Sequence, residues 1–592
     1  MCGIVGIYSL NNQKIPNLEF RIKKMINMIK YRGPDNSGHF FNKKKTFGMA
    51  NNQLSIVSPK KNIKLPLTYD NENFLSFNGE IYNYLDLKLK YKIPNNNFRY
   101  NTDTEVLYYF LNQEKINLSE INGIWSFAHY NDKEHVLKLG RDILGERNLY
   151  YYVNQNELIF SSEIRPIFAA NNLSYSINNI GIQDMWKYYS CRDNLTVIKD
   201  CFKLTPGRYL IFKKNSGSTP FKVDLPLLRP EKYFDLIKRN SQQEIQKKFK
   251  KLMSRELEIR YPKNVKCFSS LSGGLDSTYQ NFLLRNLEKK INTIYAISND
   301  FNFIKRKGIS EMDLSKLISK KIISSHTFID LRKDFFQESL KCSQNTLETL
   351  DPAILNFSIF SKFLKNRGSK VLLCSDGPDE FLCGYYKDIN KFFYSKKRFL
   401  KNPYHKIIKN KKFYESIFQK VEKETDFFST PDRRYKNVEK YLEKSQLKAL
   451  IYATKSLPEY INIRADKGFM LNSIEVRQPF LSKNLVEFLC ALPSKFRVSK
   501  KNLKGKIFLR NEVAKISKIV SQYKKTGFGK NLISDDKIFK KLEPIINDTI
   551  NDKKIMQKLN FKKGAEKTFL KSNRSQKYMV FSLIRSLKNL KN

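Results

Sequence analysis

Ser272-Gly273-Gly274-Leu275-Asp276-Ser277 follows an apolar run, Val265 to Leu271, and precedes apolar residues that recur at helical spacing. This order predicts a strand, a tight turn and a helix. Two adjacent glycines let backbone N–H groups close around an anion at a helix N-terminus, and the Ser272 and Ser277 hydroxyls add donors. The stretch therefore predicts a polyphosphate site rather than an ordinary Gly-Gly turn.

The sequence around this stretch predicts a parallel α/β domain. Three further apolar runs alternate with helical segments: Thr293 to Ser298, His326 to Leu331 and Val371 to Ser375. Such alternation is typical of parallel strands joined by helices. Helical, lysine-rich sequence fills the rest of the chain to its C-terminus.

Carboxylates follow the last of these predicted strands. Asp376, Asp379 and Glu380 come where ligands bind in such sheets, at the carboxyl end of a strand. Clustered like charges are costly without a cation, which a metal–nucleotide complex would supply. Asp276 is anionic and cannot hold phosphate itself, but it can hold Mg²⁺ that bridges to phosphate. A solvated acidic loop is the alternative.

The first 212 residues differ in pattern. Leu18, Ile22, Met25, Ile26 and Ile29 mark an amphipathic helix that ends before Arg32-Gly33-Pro34-Asp35. Short strand-like runs then dominate as far as Phe212. The proline-containing segment 213–235 is predicted to link residues 1–212 to a second domain at 236–592. Two domains also suit the length, because 592 residues exceed what one core supports.

Cys2 lies next to the initiator methionine. Removal of Met1 would give this cysteine a free α-amino group, whose pKa near ~8 lets it take the thiol proton and later deliver it to a leaving group. The alternative is that Cys2 is a small apolar residue that begins a strand.

Composition excludes several classes of protein. The hydrophobic fraction of 41% describes a globular chain. Eight scattered cysteines without a CxxC pair, and five scattered histidines, disfavour a disulfide framework and a zinc site. No signal core or long apolar segment occurs, so a cytoplasmic protein without a membrane partner is expected. The net charge of +51 is spread along the chain. This distribution favours AT-rich coding as the origin of the many lysines over binding to a nucleic acid.

The motifs together resemble the glutamine-hydrolysing asparagine synthetases, over nearly the whole chain. The phosphate loop resembles that of ATP pyrophosphatases, and it lacks the Gly-Lys-Ser/Thr ending of a Walker loop. The resemblance rests on Met1 to Ile4, Arg32 to Asp35, Leu54 to Val57, Phe77 to Asn83, Thr102 to Glu105, Arg141-Asp142 with Gly145, Ser162 to Ile164, Ser272 to Ser277, Asp376 to Glu380, Gly384-Tyr385, Glu475 to Leu481, Gly505-Lys506 and Lys525 to Gly529.

This resemblance implies an α+β N-terminal-nucleophile domain with αββα layers, followed by an α/β PP-loop domain of the adenine nucleotide alpha hydrolase kind. In the first domain Cys2 would attack glutamine, while Asn78 and the Gly79 N–H would hold the oxyanion. Each donor would stabilise the transition state by ~3 kcal/mol. Glu80 and Asp103 would hold the substrate's ammonium, and Gln53 and Val57 complete the expected glutamine-binding residues.

The second domain would use ATP, Mg²⁺ and ammonia to amidate a carboxylate, aspartate in the family, through an acyl-adenylate. Asp276 and Asp379 would hold Mg²⁺, Lys506 would stabilise phosphate charge, and Asp376 would assist the reaction at the acyl group. The expected ATP-binding residues are Leu271, Ser272, Gly273, Gly274, Asp276, Ser277, Ile297, Cys374 and Ser375. The oligomeric state stays open, with a homodimer among the candidates.

Two positions depart from the family pattern. Gln53 stands where the family has an arginine that clamps the α-carboxylate of glutamine. Loss of that charged contact would weaken glutamine use by about 10- to 100-fold unless another cation substitutes. Asp376 replaces a glutamate that is one methylene longer; Ser375 and Pro378 also differ from the usual small residues. These changes suit a paralogue that amidates another carboxylate, such as a sugar acid.

Two alternatives come from other classes. A PP-loop enzyme that modifies tRNA would explain the basic charge but leaves Cys2 and Asn78-Gly79-Glu80 without a role; RNA binding at physiological salt would support it. A catalytically impaired interaction protein would explain Gln53 and Asp376. An absence of ATP-dependent pyrophosphate release would favour that alternative.

Overall fold

The computed structural model describes most of the chain. It covers residues 2–59, 63–94, 98–113, 117–213, 219–298, 308–385, 389, 392–393, 415–421, 427, 430, 432–501, 503–523, 532–552, 556, 559 and 561–590. The motif Lys525 to Gly529 lies outside the described residues.

Two antiparallel sheets face each other in the first domain. Their strands are β1 Cys2–Ser9, β2 Asn36–Phe41, β3 Phe47–Gln53, β4 Asn73–Ile81, β5 Gly123–Asn131, β6 Val136–Arg141, β7 Tyr150–Val153, β8 Glu157–Ser161, β9 Cys201–Lys203, β10 Arg208–Phe212 and β11 Phe221–Asp224. One sheet has the order β2-β3-β1-β8-β7-β9, and the other has the order β11-β10-β6-β5-β4. The predicted strand runs of this domain are confirmed.

Helices cover the outer faces of the two sheets. They are α1 Leu18–Met28, α2 Tyr84–Lys90, α3 Asp103–Asn112, α4 Ile164–Ala169 and α5 Asn179–Tyr188. Strand β1 is buried along its whole length because its faces serve two cores. Ile4 and Tyr8 pack between the sheets, whereas Val5 and Ile7 pack against α1. Alternation along one central strand thus creates the αββα layers.

The segment 213–235 carries regular structure of its own. Within it, β11 pairs antiparallel with β10 and extends the second sheet at an exposed edge. Apolar and charged side chains alternate along Phe221-Lys222-Val223-Asp224, a pattern that suits such an edge strand. A 3₁₀ turn, Pro230–Tyr233, then leads into helix α6, Phe234–Arg239.

The second domain is built on a five-stranded parallel sheet. Its strands are β12 Cys267–Ser270, β13 Asn292–Ile297, β14 Ser325–Asp330, β15 Val371–Leu373 and β16 Glu475–Arg477. The order β14-β13-β12-β15-β16 confirms the predicted parallel sheet and adds β16 at its edge. The chain adds β13 and β14 on one side of β12 and then β15 and β16 on the other side, so the topological switch point lies between β12 and β15. Ligands bind at such a point in these sheets.

Helices surround this sheet and form the C-terminal part. They are α7 Gln242–Arg260, α8 Leu275–Asn286, α9 Glu311–Lys321, α10 Phe335–Ser343, α11 Ile354–Asn366, α12 Pro378–Phe381, α13 Lys436–Glu439, α14 Lys444–Ile451, a π-helix Tyr452–Ile461, α15 Asn462–Met470, α16 Lys483–Ala491, α17 Ser494–Arg497, α18 Ile507–Ile516, α19 Lys518–Gln522, α20 Asp536–Ile550, α21 Ala565–Leu570 and α22 Arg574–Lys588. Two short strands, β17 Val498–Ser499 and β18 Lys504–Gly505, form a hairpin before Lys506. Among the described helices, none has the length and apolar character that crossing a membrane requires.

Candidate active sites

Cys2 begins the central strand of the first sheet and is only 7% exposed. Its backbone nitrogen donates a hydrogen bond to Asn78 Oδ1 at 2.9 Å. Removal of Met1 would turn this nitrogen into the α-amino group, already held beside the thiol. Burial raises the pKa of the Cys2 thiol, so the thiol needs a nearby base to become a nucleophile.

Asn78 and Gly79 lie on β4, facing Cys2 across the two sheets. Asn78 is fully buried, and its Nδ2 donates to Ser126 Oγ at 3.4 Å. Since Oδ1 accepts from Cys2, the amide presents its N–H side to the remaining space, as an oxyanion donor must. Any Cβ at Gly79 would lie 2.0 Å from the Ile124 carbonyl oxygen, so only glycine lets β4 approach β5 here.

Asp103 stands at the start of α3, whose N-terminus is closed by a capping box from Thr102 and Glu105. The Asp103 carboxylate accepts hydrogen bonds from the Ile81 and Thr104 backbone N–H groups, both at 2.9 Å. Burial nevertheless raises the pKa of Asp103 to about 6. The structure therefore places a buried carboxylate next to β4, where a substrate ammonium would be bound.

Glu80 takes part in a contact between the domains. Its carboxylate forms an ion pair with Arg477 Nη2 of β16, and Arg477 Nε also contacts Glu475 at 2.7 Å. Burial raises the pKa of Glu80, while the Arg477 guanidinium opposes that shift. The second domain thus supplies one wall of the predicted glutamine pocket.

Gln53 ends β3 directly opposite Cys2 in the strand register. Its Oε1 accepts a hydrogen bond from Asn36 Nδ2 at 3.4 Å. A cationic side chain stands nearby: Lys370 pairs with Asp35 at 2.6 Å and donates to the Ser55 carbonyl at 3.2 Å. Val57 sits farther along, where its carbonyl accepts from Asn264 Nδ2 at 2.6 Å.

The phosphate loop joins β12 to α8 at the switch point of the second sheet. The Ser272 N–H donates to Ser277 Oγ at 3.1 Å, which folds the loop onto the helix start. Gly273 has φ +69°, and a Cβ there would lie 2.8 Å from Leu314. Gly274 is the N-cap residue of helix α8 and has no side chain to cap it, so the first N–H groups of the helix suit an anion.

Lys506 joins the two predicted magnesium ligands. Its Nζ lies 2.6 Å from both Asp276 Oδ2 and Asp379 Oδ1. Burial lowers the pKa of Lys506, but the two aspartates outweigh it and hold that pKa above its usual value. Three residues far apart in sequence therefore converge beside the phosphate loop.

These carboxylates fit Mg²⁺ as the resemblance implies. Both aim at one point, now taken by the Lys506 ammonium, and carboxylate oxygen is the ligand that Mg²⁺ prefers. Among the described residues no group of three or more metal-ligating side chains occurs. The remaining ligands would be phosphate oxygens and water, an arrangement common for Mg²⁺ bound with a nucleotide.

The three carboxylates after β15 separate in the structure. Asp376 is exposed at the loop, where its Oδ2 accepts from Gln478 Nε2 at 3.1 Å. Glu380 is buried and accepts from Tyr385 Oη; burial raises the pKa of Glu380 to about 8. Asp379 shares the Lys506 ammonium with Asp276, whereas Asp376 precedes helix α12 and Glu380 bonds to Tyr385.

Four of the expected ATP-binding residues occupy adjacent strand ends. Leu271 follows β12 and donates its N–H to the Ile294 carbonyl at 2.9 Å, while Ile297 closes β13. Cys374 and Ser375 follow β15 on the other side, and the Cys374 N–H donates to the Arg477 carbonyl at 2.9 Å. All four lie at the carboxyl edge of the sheet.

Arg32 connects the nucleophile to the second domain. Its Nε donates to the Cys2 carbonyl at 3.2 Å, its Nη1 contacts Glu163 at 3.0 Å, and its Nη2 contacts Asp466 of α15 at 3.0 Å. All these groups are buried. Breaking such a buried pair by removing one partner costs about 3–5 kcal/mol.

The sequence motifs contain Arg32, Glu475 and Arg477 but assign them no role. Each acts across the domain interface, which local spacing does not reveal. The available signal was the presence of charged residues inside otherwise apolar segments, such as Glu475-Val476-Arg477. Charges in such positions are retained only when paired.

Comparison with known proteins agrees with this architecture. Residues 1–221 match the family model described as a glutamine amidotransferase domain, and residues 248–588 match the model described as asparagine synthase. An asparagine synthetase [glutamine-hydrolyzing] 1 of Bacillus subtilis is 26% identical over 89% of this chain and 87% of its own.

Two other relatives are more partial. A putative asparagine synthetase [glutamine-hydrolyzing] 2 of Methanocaldococcus jannaschii is 27% identical over 66% of this chain and 77% of its own. The amidase chry2 of Gibberella zeae is 25% identical over 49% of this chain and 44% of its own. With a glutamine amidotransferase domain ahead of an asparagine synthase domain, the chain belongs to the asparagine synthase family.

Proposed function

We propose that the protein amidates aspartate to asparagine, using ATP and ammonia released from glutamine. The observation that carries this proposal is the convergence of Lys506, Asp276 and Asp379 beside the Ser272–Ser277 loop. That arrangement suits a magnesium pyrophosphate leaving group. The Cys2 site in the same chain suits the supply of ammonia.

In the first domain, Cys2 Sγ attacks the side-chain carbonyl carbon of glutamine after its α-amino group takes the thiol proton. Asn78 Nδ2 and the Gly79 N–H stabilise the oxyanion, and the same amino group returns the proton to the departing ammonia. Water then releases glutamate from the thioester. Asp103 and Glu80 orient the substrate through its ammonium.

In the second domain, a carboxylate oxygen of aspartate attacks the α-phosphorus of ATP, and pyrophosphate leaves. The loop N–H groups and Lys506 hold the pyrophosphate charge, while Asp276 and Asp379 would hold Mg²⁺, which neutralises phosphate charge when bound. Ammonia attacks the β-aspartyl-adenylate, and AMP leaves as the amide forms.

The alternative is that the enzyme amidates a carboxylate other than aspartate, and one observation favours it. Asp376 is shorter than the family glutamate and is exposed, which leaves room for a bulkier acid. Aspartate remains the first choice because the phosphate loop, Lys506 and Glu475 to Leu481 keep the family pattern.

The test is pyrophosphate release from ATP with ammonium and a panel of carboxylates, including aspartate and uronic acids. We expect aspartate to drive release with matching asparagine formation. Release with a uronic acid or another carboxylate, without asparagine from aspartate, would replace this substrate with the alternative. No release with any acid would favour an impaired enzyme.

A further inference from the structure

Gln478 is a buried glutamine whose side chain bonds to an exposed carboxylate. It directly follows β16 and is only 3% exposed, and its Nε2 donates to Asp376 Oδ2 at 3.1 Å. Among the described residues, this is the one hydrogen bond that either side chain makes. Burying an amide costs free energy unless its hydrogen bonds are made. The roles proposed above do not use Gln478.

The loops that carry these two residues leave adjacent strands of the second sheet. Strands β15 and β16 pair in parallel, and the Cys374 N–H donates to the Arg477 carbonyl at 2.9 Å where they end. Gly377 has a φ of +114°, and a Cβ there would lie 2.8 Å from Leu481 Cδ2. The loop after β16 thus packs against the loop after β15 and also bonds to it, through Gln478.

A purely structural role does not explain the bond from Gln478. Asp376 is exposed, so water can solvate its carboxylate when the amide is removed, and a hydrogen bond that water can replace contributes little to folding. The packing of Leu481 against Gly377 already holds the two loops together. What the amide adds is a fixed position for one carboxylate oxygen, because Oδ2 is held and the Asp376 side chain can no longer rotate freely.

Asp376 lies where a fixed carboxylate would matter. It is at the carboxyl edge of the sheet, beside the switch point between β12 and β15, and it follows the expected ATP-binding residues Cys374 and Ser375. Asp379, in the helix that follows, contacts Lys506 beside the phosphate loop. A group that acts on a substrate must be held within about 0.5 Å of its productive position, usually by a neighbouring hydrogen bond.

We propose that Gln478 is a positioning residue of the synthetase site: its amide binds Asp376 Oδ2 and leaves Oδ1 to face the acyl group of the adenylate. This inference rests on the proposed function and adds to it the residue through which Asp376 is held. Gln478 itself touches neither the acid nor ATP. No covalent bond or proton transfer involves its amide.

The test is a double-mutant cycle on pyrophosphate release with ATP, ammonium and the acid that the wild type accepts. Gln478→Met keeps the length of the side chain and removes the N–H donor. We expect it to lower kcat by about tenfold, because a hydrogen bond to a charged group is lost. The KM values for the acid and for ATP should change by less than about twofold. In an Asp376→Ala background, Gln478→Met should lower kcat by less than about twofold, since Gln478 acts only through Asp376.

Gln280→Met is the matched control. Gln280 is also buried, in α8, but its Nε2 donates to the buried Ser269 Oγ at 3.1 Å and not to Asp376. We expect this control to lower kcat by less than about twofold. An equal loss in Gln280→Met, or an equal loss from Gln478→Met in both backgrounds, would overturn the positioning role. An unchanged kcat in Gln478→Met would overturn it too.

Two further points separate this inference from folding and from the proposed function. The Tm of Gln478→Met should not fall, because water solvates the exposed carboxylate. If that variant does not fold, Gln478→Leu is read by the same criteria. A wild type that uses an acid other than aspartate would contradict the proposed acceptor, whereas the cycle, run with that acid, still supports or overturns the role of Gln478.

Discussion

Gln53 is the proposed glutamine-binding residue at which this chain departs most clearly from the family pattern. It faces Cys2 in the strand register, and its side chain bonds to Asn36, which carries no charge. The nearby Lys370 is paired with Asp35. In the proposed glutamine-binding mode, the α-carboxylate of glutamine would meet an amide where an arginine would provide a charged contact.

Gln53→Arg should lower the KM for glutamine by about tenfold, because a charged contact to the α-carboxylate adds uniform binding. Steady-state kinetics of glutamine hydrolysis measures this. The ammonium-driven reaction is the control and should not respond. An unchanged or higher KM would mean that another residue, for example Lys370, already holds the carboxylate.

Asp103 should make glutamine use sensitive to mild acid. Burial raises the pKa of Asp103 to about 6, with the Glu475 carboxylate adding to the shift. The carboxylate is charged above that pH and neutral below it, so it loses its attraction for the substrate ammonium as the pH falls through about 6.

We therefore expect kcat/KM for glutamine hydrolysis to fall below about pH 6, since this parameter reports groups of the free enzyme. Asp103→Asn should lower kcat/KM at neutral pH and remove that acidic limb. A profile that stays flat to pH 5 in the wild type would show that Asp103 does not bind the ammonium.

At the scale of elements, the turn after α12 determines how closely Lys506 approaches Asp379. A Cβ at Gly384 would lie 1.8 Å from Asp379 Oδ1 and 2.3 Å from Lys506 Cε. A methyl group there cannot coexist with the Lys506–Asp379 contact. The proposed ATP site therefore requires that position 384 has no side chain.

Gly384→Ala should reduce ATP-dependent pyrophosphate release by at least about tenfold with either nitrogen source, because it separates Lys506 from Asp379. Glutamine hydrolysis should persist, since Cys2 lies in the other domain. Gly368→Ala is the control: it is strained by its φ of +72° but meets no atom within 4 Å. Equal losses in both variants would attribute the effect to folding.

The apolar strands of the second sheet could be predicted from sequence, and the charged strand at its edge could not. Val265 to Leu271 and Thr293 to Ser298 are apolar runs between turn signals, and each contains a strand of the sheet. Glu475-Val476-Arg477 carries two charges in three residues. It becomes a strand only because it pairs with β15, a contact some hundred residues away in sequence.

For the whole molecule, the sequence predicted two domains with separate chemistry but not how they meet. Arg32, Glu80 and Arg477 are buried, and each forms an ion pair with a residue of the other domain. Pairing between charges that lie hundreds of residues apart leaves no local periodicity. The candidate site residues could be predicted from motifs, whereas the residues that hold them in place were found only in the tertiary structure.

The central claim is that one chain holds a glutaminase site and an ATP-dependent amidating site. The most direct measurement is asparagine formation by Cys2→Ala with glutamine and, separately, with ammonium as nitrogen source. We predict that glutamine-driven synthesis is abolished, because only Cys2 supplies the nucleophile and its base together, while ammonium-driven synthesis continues. Loss of the ammonium-driven reaction as well, in a variant that still folds, would contradict the account.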